Sequence, residues 1–152
     1  MSIPFVEGDL DGELTAELIR QVAQSGAFEY RKEGGALLLQ VDVIDTSDEN
    51  IGFRYDQNKK GKIKKRLISD ETRTSILVEV SVKEVGTGTI LLGPARLSAN
   101  VEFDHDYYSS RNGVNIFSLG QLTDYDEAHN AARRPLHYAL ARKIVDYLNN
   151  NW

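Results

Sequence analysis

The stretch Ile76-Leu77-Val78-Glu79-Val80-Ser81-Val82-Lys83 decides the fold. Its even positions are all β-branched and apolar, while three of its four odd positions are polar, which is the period-2 signature of a strand with one face buried. The same alternation appears upstream, where Leu37, Leu39, Val41 and Val43 interleave with Leu38, Gln40, Asp42 and Ile44. It resumes less regularly through Ile51, Phe53 and Tyr55. Downstream, Gly86-Thr87-Gly88 reads as a tight connection into Ile90–Leu92. Gly93-Pro94 interrupts the ladder as a bulge or edge kink, and Leu97, Ala99, Val101 and Phe103 complete it against Arg96, Ser98, Asn100 and Glu102. Three strands of this kind exceed the common length of about 5–6 residues, and long hairpins project beyond the core they pack on.

Helical periods flank the strands. Ile3-Pro4-Phe5-Val6 reads as a short strand that Pro4 pushes to a sheet edge. Leu14, Leu18 and Val22, with Ile19 beside them, then form one stripe, with Asp11 as the expected N-cap and Gly26 as the stop. Phe28, Tyr30 and a turn at Gly34-Gly35 lead back to the long strands, giving a strand–helix–strand opening. Near the other end, Thr123 with Asp126 three residues on has capping-box spacing. Ala128, Ala132, Leu136, Ala139, Leu140, Ile144 and Leu148 form a second stripe, which Pro135 is expected to kink or restart. Tyr107 to Gly120 has no clear period and reads as a loop. The expected fold is α+β: a two-layer sandwich, with a three- to four-stranded, mostly antiparallel sheet and both helices on one face. With 152 residues and no linker or repeat, residues 1–152 read as a single domain.

Charge is distributed unevenly. Lys59-Lys60-Gly61-Lys62-Ile63-Lys64-Lys65-Arg66 carries six of the eighteen basic side chains, leaving twelve against twenty-three acidic ones elsewhere. Six like charges repel unless solvent, salt or an anion screens them, so the segment points to a phosphate- or carboxylate-bearing ligand, or else to a solvated loop tip. Nucleic acid fits poorly, because a net charge of −5 repels a polyanion and one loop supplies few phosphate contacts. No apolar run reaches the ~20 residues of a membrane helix. The chain opens on Met1-Ser2 without a signal-peptide pattern, a start that is either natural or trimmed. It has no cysteine, so neither a disulfide framework nor a thiol nucleophile is available.

Chemistry-bearing motifs are sparse. Asp104-His105-Asp106 reads as an acidic strand terminus turned to solvent rather than as a metal ligand or a base. His129 and His137 are too far apart for one ion on one helix turn, and His137 is expected at the helix surface beside Arg134 and Tyr138. Gly86-Thr87-Gly88 has no helix behind it to bind phosphate, and no nucleophile elbow, phosphate loop or dinucleotide spacing occurs. The expectation is a protein that is not an enzyme and needs no metal or cofactor.

The order strand–helix–three long strands–helix resembles the outer-membrane lipopolysaccharide-assembly lipoprotein family (LptE type). The resemblance is carried by Ile3-Pro4-Phe5-Val6-Glu7-Gly8, Leu14-Thr15, Leu18-Ile19, Gly26-Ala27-Phe28, the long central strand, and Ala139-Leu140-Ala141-Arg142-Lys143-Ile144-Val145. It spans nearly the whole chain through apolar spacing rather than a signature motif. Curli-secretion-type lipoproteins and the N-terminal domain of the translocation protein TolB open with a similar strand–helix unit. The resemblance implies a protein on the periplasmic face of the outer membrane, held by a lipid anchor on a cysteine upstream, which this sequence does not contain. It further implies a complex with an outer-membrane β-barrel translocon that the protein partly plugs, and binding of lipopolysaccharide. On that reading Lys59, Lys60, Lys62, Lys64, Lys65 and Arg66 pair with lipopolysaccharide phosphates. The competing reading is an envelope scaffolding domain that binds a protein partner without touching lipid.

Overall fold

The computed structural model describes residues 1–57, 62–106 and 124–152, with Gln57, Lys64, Lys65 and Arg66 described in their backbone only. The element order is α1 (Glu13–Ser25), β1 (Leu37–Gln57), β2 (Ile63–Glu84), β3 (Ile90–Asp104) and α2 (Tyr125–Asn151). The strands form one sheet in the order β1-β2-β3. They are 21, 22 and 15 residues long, as the extended alternation requires. The fold is the expected α+β arrangement of an antiparallel three-stranded sheet with an N-terminal and a C-terminal helix. The chain divides into two compact units, one of residues 1–46, 75–100 and 134–152 and the other of residues 47–74 and 101–133.

The first unit holds an apolar core. Val78, Val80 and Val82 of β2 are fully buried, while the intervening Glu79, Ser81 and Lys83 are half-buried, so one sheet face is covered and the other is not. Leu39 and Val41 of β1, Leu14, Leu18 and Val22 of α1, and Leu136, Leu140, Ala141, Ile144 and Leu148 of α2 complete the core. The α2 stripe is wider than its i, i+4 pattern implied: Ala141, Val145 and His137 are buried, and Ala139 is only half so.

The N-terminal segment departs from the expected strand. Ser2 and Glu7 form single parallel bridges to Leu38 and Asp42, and Ile3–Val6 leaves the ladder between them. Pro4 has no N–H to give, and the Val6 N–H instead donates to Thr15 Oγ1 at 3.1 Å. The segment is thus an interrupted rung beside β1.

Helix capping is also redistributed. Gly12, at φ 78°, occupies the N-cap of α1 without a side chain to offer. Asp9, buried, reaches in to accept the Thr15 N–H at 2.8 Å and the Thr15 hydroxyl at 2.6 Å, while Asp11 Oδ1 accepts the Glu13 N–H at 3.1 Å. Gly26, at φ 69°, stops the helix as expected.

In α2 the cap is Asp124, whose Oδ1 accepts the Glu127 N–H at 2.8 Å. Thr123, to which the capping-box spacing is assigned, lies outside the described residues, as does the loop expected over Tyr107 to Gly120. The helix continues through Pro135. In the first unit Lys143 Nζ donates to the Ser98 carbonyl of β3 at 2.7 Å, an outer-edge acceptor of the terminal strand.

Candidate functional site

β1 ends at Gln57 and β2 begins at Ile63, so the basic segment straddles the connection between the two longest strands. Lys59 and Lys60 lie outside the described residues. Lys62 is exposed, and Lys64, Lys65 and Arg66 occupy the first turns of pleat in β2. The same end of the hairpin exposes four large apolar side chains, Phe53, Tyr55, Ile63 and Leu67. Arg54 is engaged with Asp70 at 3.3 Å. The sequence places Ile63, Tyr55 and Phe53 beside the charge, where aromatic stacking is conceivable, but Phe53 and Tyr55 also fit a strand period that normally marks a buried face, so their exposure is not legible there.

The interior of the second unit sets polar side chains among Ile68, Ala128 and Ala132, which alternation alone does not reveal. Thr72, Thr74, Asp56, His105 and Asp106 are all buried. The Asp104–Asp106 segment is therefore corrected: His105 is 4% exposed, not turned to solvent. Its backbone N–H donates to the Asp70 carbonyl at 2.9 Å and its Nε2 lies 2.8 Å from Thr72 Oγ1. The Thr72 hydroxyl donates its one proton to Asn50 Oδ1 at 3.0 Å, so His105 Nε2 carries the hydrogen in the ring contact. Burial holds the His105 imidazole below its ordinary value of 6.5, only partly offset by the Asp106 backbone and by the Asp70, Asp104 and Asp106 carboxylates.

Tyr125 closes this interior, edge-on to His105 at 4.9 Å between ring centres and stacked on His129 at 5.9 Å, with Phe103 touching all three rings. The Tyr125 hydroxyl donates to Asp48 Oδ2 at 2.9 Å, and His129 Nε2 approaches the same oxygen at 3.4 Å. Burial, followed by that bond to Asp48, pushes the Tyr125 phenol up to about 12. Thr72 is 1% exposed while the Tyr125–Asp48 hydrogen bond is exposed, so the network links the unit's interior to its surface.

In the first unit His137 is likewise corrected from surface to interior, with Nδ1 3.9 Å from Glu13 Oε2. Among the described residues no group of three His, Cys, Asp or Glu is placed to hold a metal ion, and no helix is long and apolar enough to cross a membrane. A shallow polar groove lined by Gln21, Gln24, Ser25, Arg142, Val145, Asp146 and Asn149 runs along α1 and α2.

No protein-family model and no curated protein matches this sequence. Solved structures do match its fold. A minor lipoprotein from Acinetobacter baumannii superposes with a TM-score of 0.58 at 13% identity, covering 99% of this chain and 88% of that one. The rare lipoprotein B from Shewanella oneidensis gives 0.54 at 11% identity over 99% of this chain and 95% of that one. A putative lipoprotein from Caulobacter crescentus gives 0.52 at 14% identity over 94% and 83%. The fold is that of bacterial lipoproteins. At such identities the likeness concerns backbone architecture alone, and no individual side chain is carried across by it.

Proposed function

We propose that this chain is a non-enzymatic, periplasm-facing component of the machinery that inserts lipopolysaccharide into the outer membrane, tethered there in its full-length form by an N-terminal lipid. It acts as assembly partner and partial plug of a β-barrel translocon and binds lipopolysaccharide through Lys59, Lys60, Lys62, Lys64, Lys65 and Arg66. The observation that carries this reading is fold likeness to bacterial lipoproteins over nearly the whole chain. The position of the basic segment supports it further, since a cluster at the connection of two long strands reaches an anionic ligand without burying charge. Strands of 21 and 22 residues also suit a module that docks on a larger β-protein.

The test is binding to purified lipopolysaccharide across a salt series. Substituting Lys59, Lys60, Lys64 and Lys65 with Ser is expected to weaken binding at least ~tenfold, since each charge-assisted bond to phosphate contributes about 1.5–3 kcal/mol. The melting temperature is expected to stay unchanged. Salt-independent binding, equal in the variant, refutes the phosphate contact. Co-purification of a barrel partner carrying no lipid phosphate supports the scaffolding reading instead.

A further inference from the structure

The turn between β2 and β3, in the first unit, stands apart from the rest of the chain in charge. Val85-Gly86-Thr87-Gly88-Thr89-Ile90-Leu91-Leu92-Gly93-Pro94-Ala95 contains no acidic or basic residue, where a chain 27% charged leads one to expect about three. Val85, Ile90 and Leu91 are 56%, 48% and 48% exposed, and residues 86–89 between them are exposed as well. Ile90 and Leu91 are consecutive in β3, so they point to opposite faces of the sheet. The apolar surface therefore wraps around a tip and does not lie on one side of it.

The tip also matches its own polar groups. The Glu84 N–H donates to the Thr89 carbonyl at 2.9 Å, and the Gly88 N–H to the Glu84 carbonyl at 2.8 Å. The Thr87 hydroxyl donates to Glu84 Oε2 at 2.6 Å and accepts the Thr89 N–H at 3.2 Å, with the Thr89 hydroxyl 2.9 Å away. Few polar groups therefore lose a partner when the tip leaves water. Charge complementarity and shape decide what it enters. A partner protein or a second copy laid against one face covers Ile90 or Leu91 and leaves the other wet. A polyanion finds no cation between Val85 and Ala95. The boundary between lipid headgroups and acyl chains suits an uncharged tip, because it surrounds the side chains from all directions and penalises charge.

The tip lies at the end of the sheet where the N-terminal segment joins it. The Val85 N–H donates to the Ala36 carbonyl at 2.9 Å, and the Ser2 N–H to the neighbouring Leu37 carbonyl at 2.7 Å. An N-terminal lipid therefore brings this end of the first unit to the membrane. We infer that the β2–β3 tip, through Val85, Ile90 and Leu91, seats in the interfacial layer of a lipid bilayer once the chain is tethered there. The inference rests on the proposed tether, but requires neither lipopolysaccharide nor a barrel, nor any cationic residue. Each of the three side chains contributes roughly fivefold to seating, since about half of its surface leaves water. That is too weak to hold a free chain on a membrane, and adequate once a tether keeps the tip within reach. Glu84, half-buried at the base of the tip, sets the depth at which seating stops.

The test tethers the full chain to vesicles of phosphatidylcholine through one cysteine added before Met1 and a maleimide lipid, with lipopolysaccharide absent. The chain has no cysteine of its own, so coupling is confined to that site. In a Trp152→Phe background, Ile90→Trp is expected to shift its emission to the blue on tethering and to be quenched by brominated acyl chains. Leu10→Trp, at a position 98% exposed in the turn before α1, is expected to do neither. Adding Val85→Ser and Leu91→Ser to the Ile90→Trp chain is expected to lower the seated-to-free ratio roughly 25-fold, with a circular-dichroism melt confirming the fold. An unshifted, unquenched indole at position 90 overturns the inference, and so does equal quenching at positions 10 and 90. Undiminished quenching in the chain carrying both serines overturns it as well. A blue shift without bromine quenching, growing with the density of tethered copies, assigns the tip to a second copy and also overturns it. Because coupling supplies the tether, failure of the tip to seat leaves the lipopolysaccharide reading standing. Failure of the lysine variant to change lipopolysaccharide affinity sinks that reading without bearing on the tip.

Discussion

A hydroxyl proton committed to Asn50 fixes the state of a histidine thirty-three residues further along the chain. Thr72 accepts from His105, whose imidazole is held below 6.5 by burial, so the unfolded chain binds a proton that the folded protein resists. Stability is therefore expected to be full above about pH 6.5 and to fall as pH drops through that value. His105→Asn is expected to flatten this slope, measured as urea midpoints between pH 7.5 and 5; a slope equal to wild type refutes the assignment. Thr72→Val leaves His105 Nε2 unmatched in a buried site, while the exposed Asn50 can turn to water, and is expected to cost about 1–3 kcal/mol by chemical denaturation. None of this was legible from Asp104-His105-Asp106 alone. Flanking carboxylates suggest solvent, and the burial comes from Tyr125, twenty residues downstream across a stretch without periodicity.

At the level of elements, local chemistry was readable where a residue acts on its own backbone and obscure where the chain must first bend. Gly26 ends α1 as the sequence implies, since a positive φ is a property of the residue itself. The N-terminal cap belongs instead to Asp9, because the turn at Gly12 brings an earlier carboxylate over the first turn. Asp9→Ala is expected to destabilise the protein by about 1–2 kcal/mol, and Asp11→Ala by less, in paired thermal melts. The Gly93-Pro94 interruption is real but β3 runs through it. At φ 86°, a Cβ at Gly93 would collide with the Val80 carbonyl oxygen, which is backbone and cannot yield cheaply. Gly93→Ala is accordingly expected to cost more than the ~1 kcal/mol of an ordinary positive-φ glycine replacement, and equal stability by denaturant titration contradicts the contact.

For the whole molecule, the long alternation gave away the sheet and its covered face, but not the change of interior from one unit to the other. The first unit buries Val78, Val80 and Val82 with Leu, Ile and Val from its helices, whereas the second buries threonine, histidine and aspartate around Ile68, Ala128 and Ala132. Apolar burial is the larger stabilising term, so backbone amides of residues 76–82 are expected to exchange with solvent more slowly than those of residues 68–74. Uniform exchange along β2 contradicts two interiors of unequal strength. The hydrogen bond from Lys143 to the Ser98 carbonyl has a bearing on how the protein keeps in solution. A fifteen-residue terminal strand is a template on which a second copy can stack and seed precipitate, and an ammonium seated on one of its acceptors interrupts that template midway. Lys143→Met is expected to leave the monomer's melt nearly unaltered while turbidity on concentration begins earlier, making one exposed side chain a safeguard of shelf life rather than of folding.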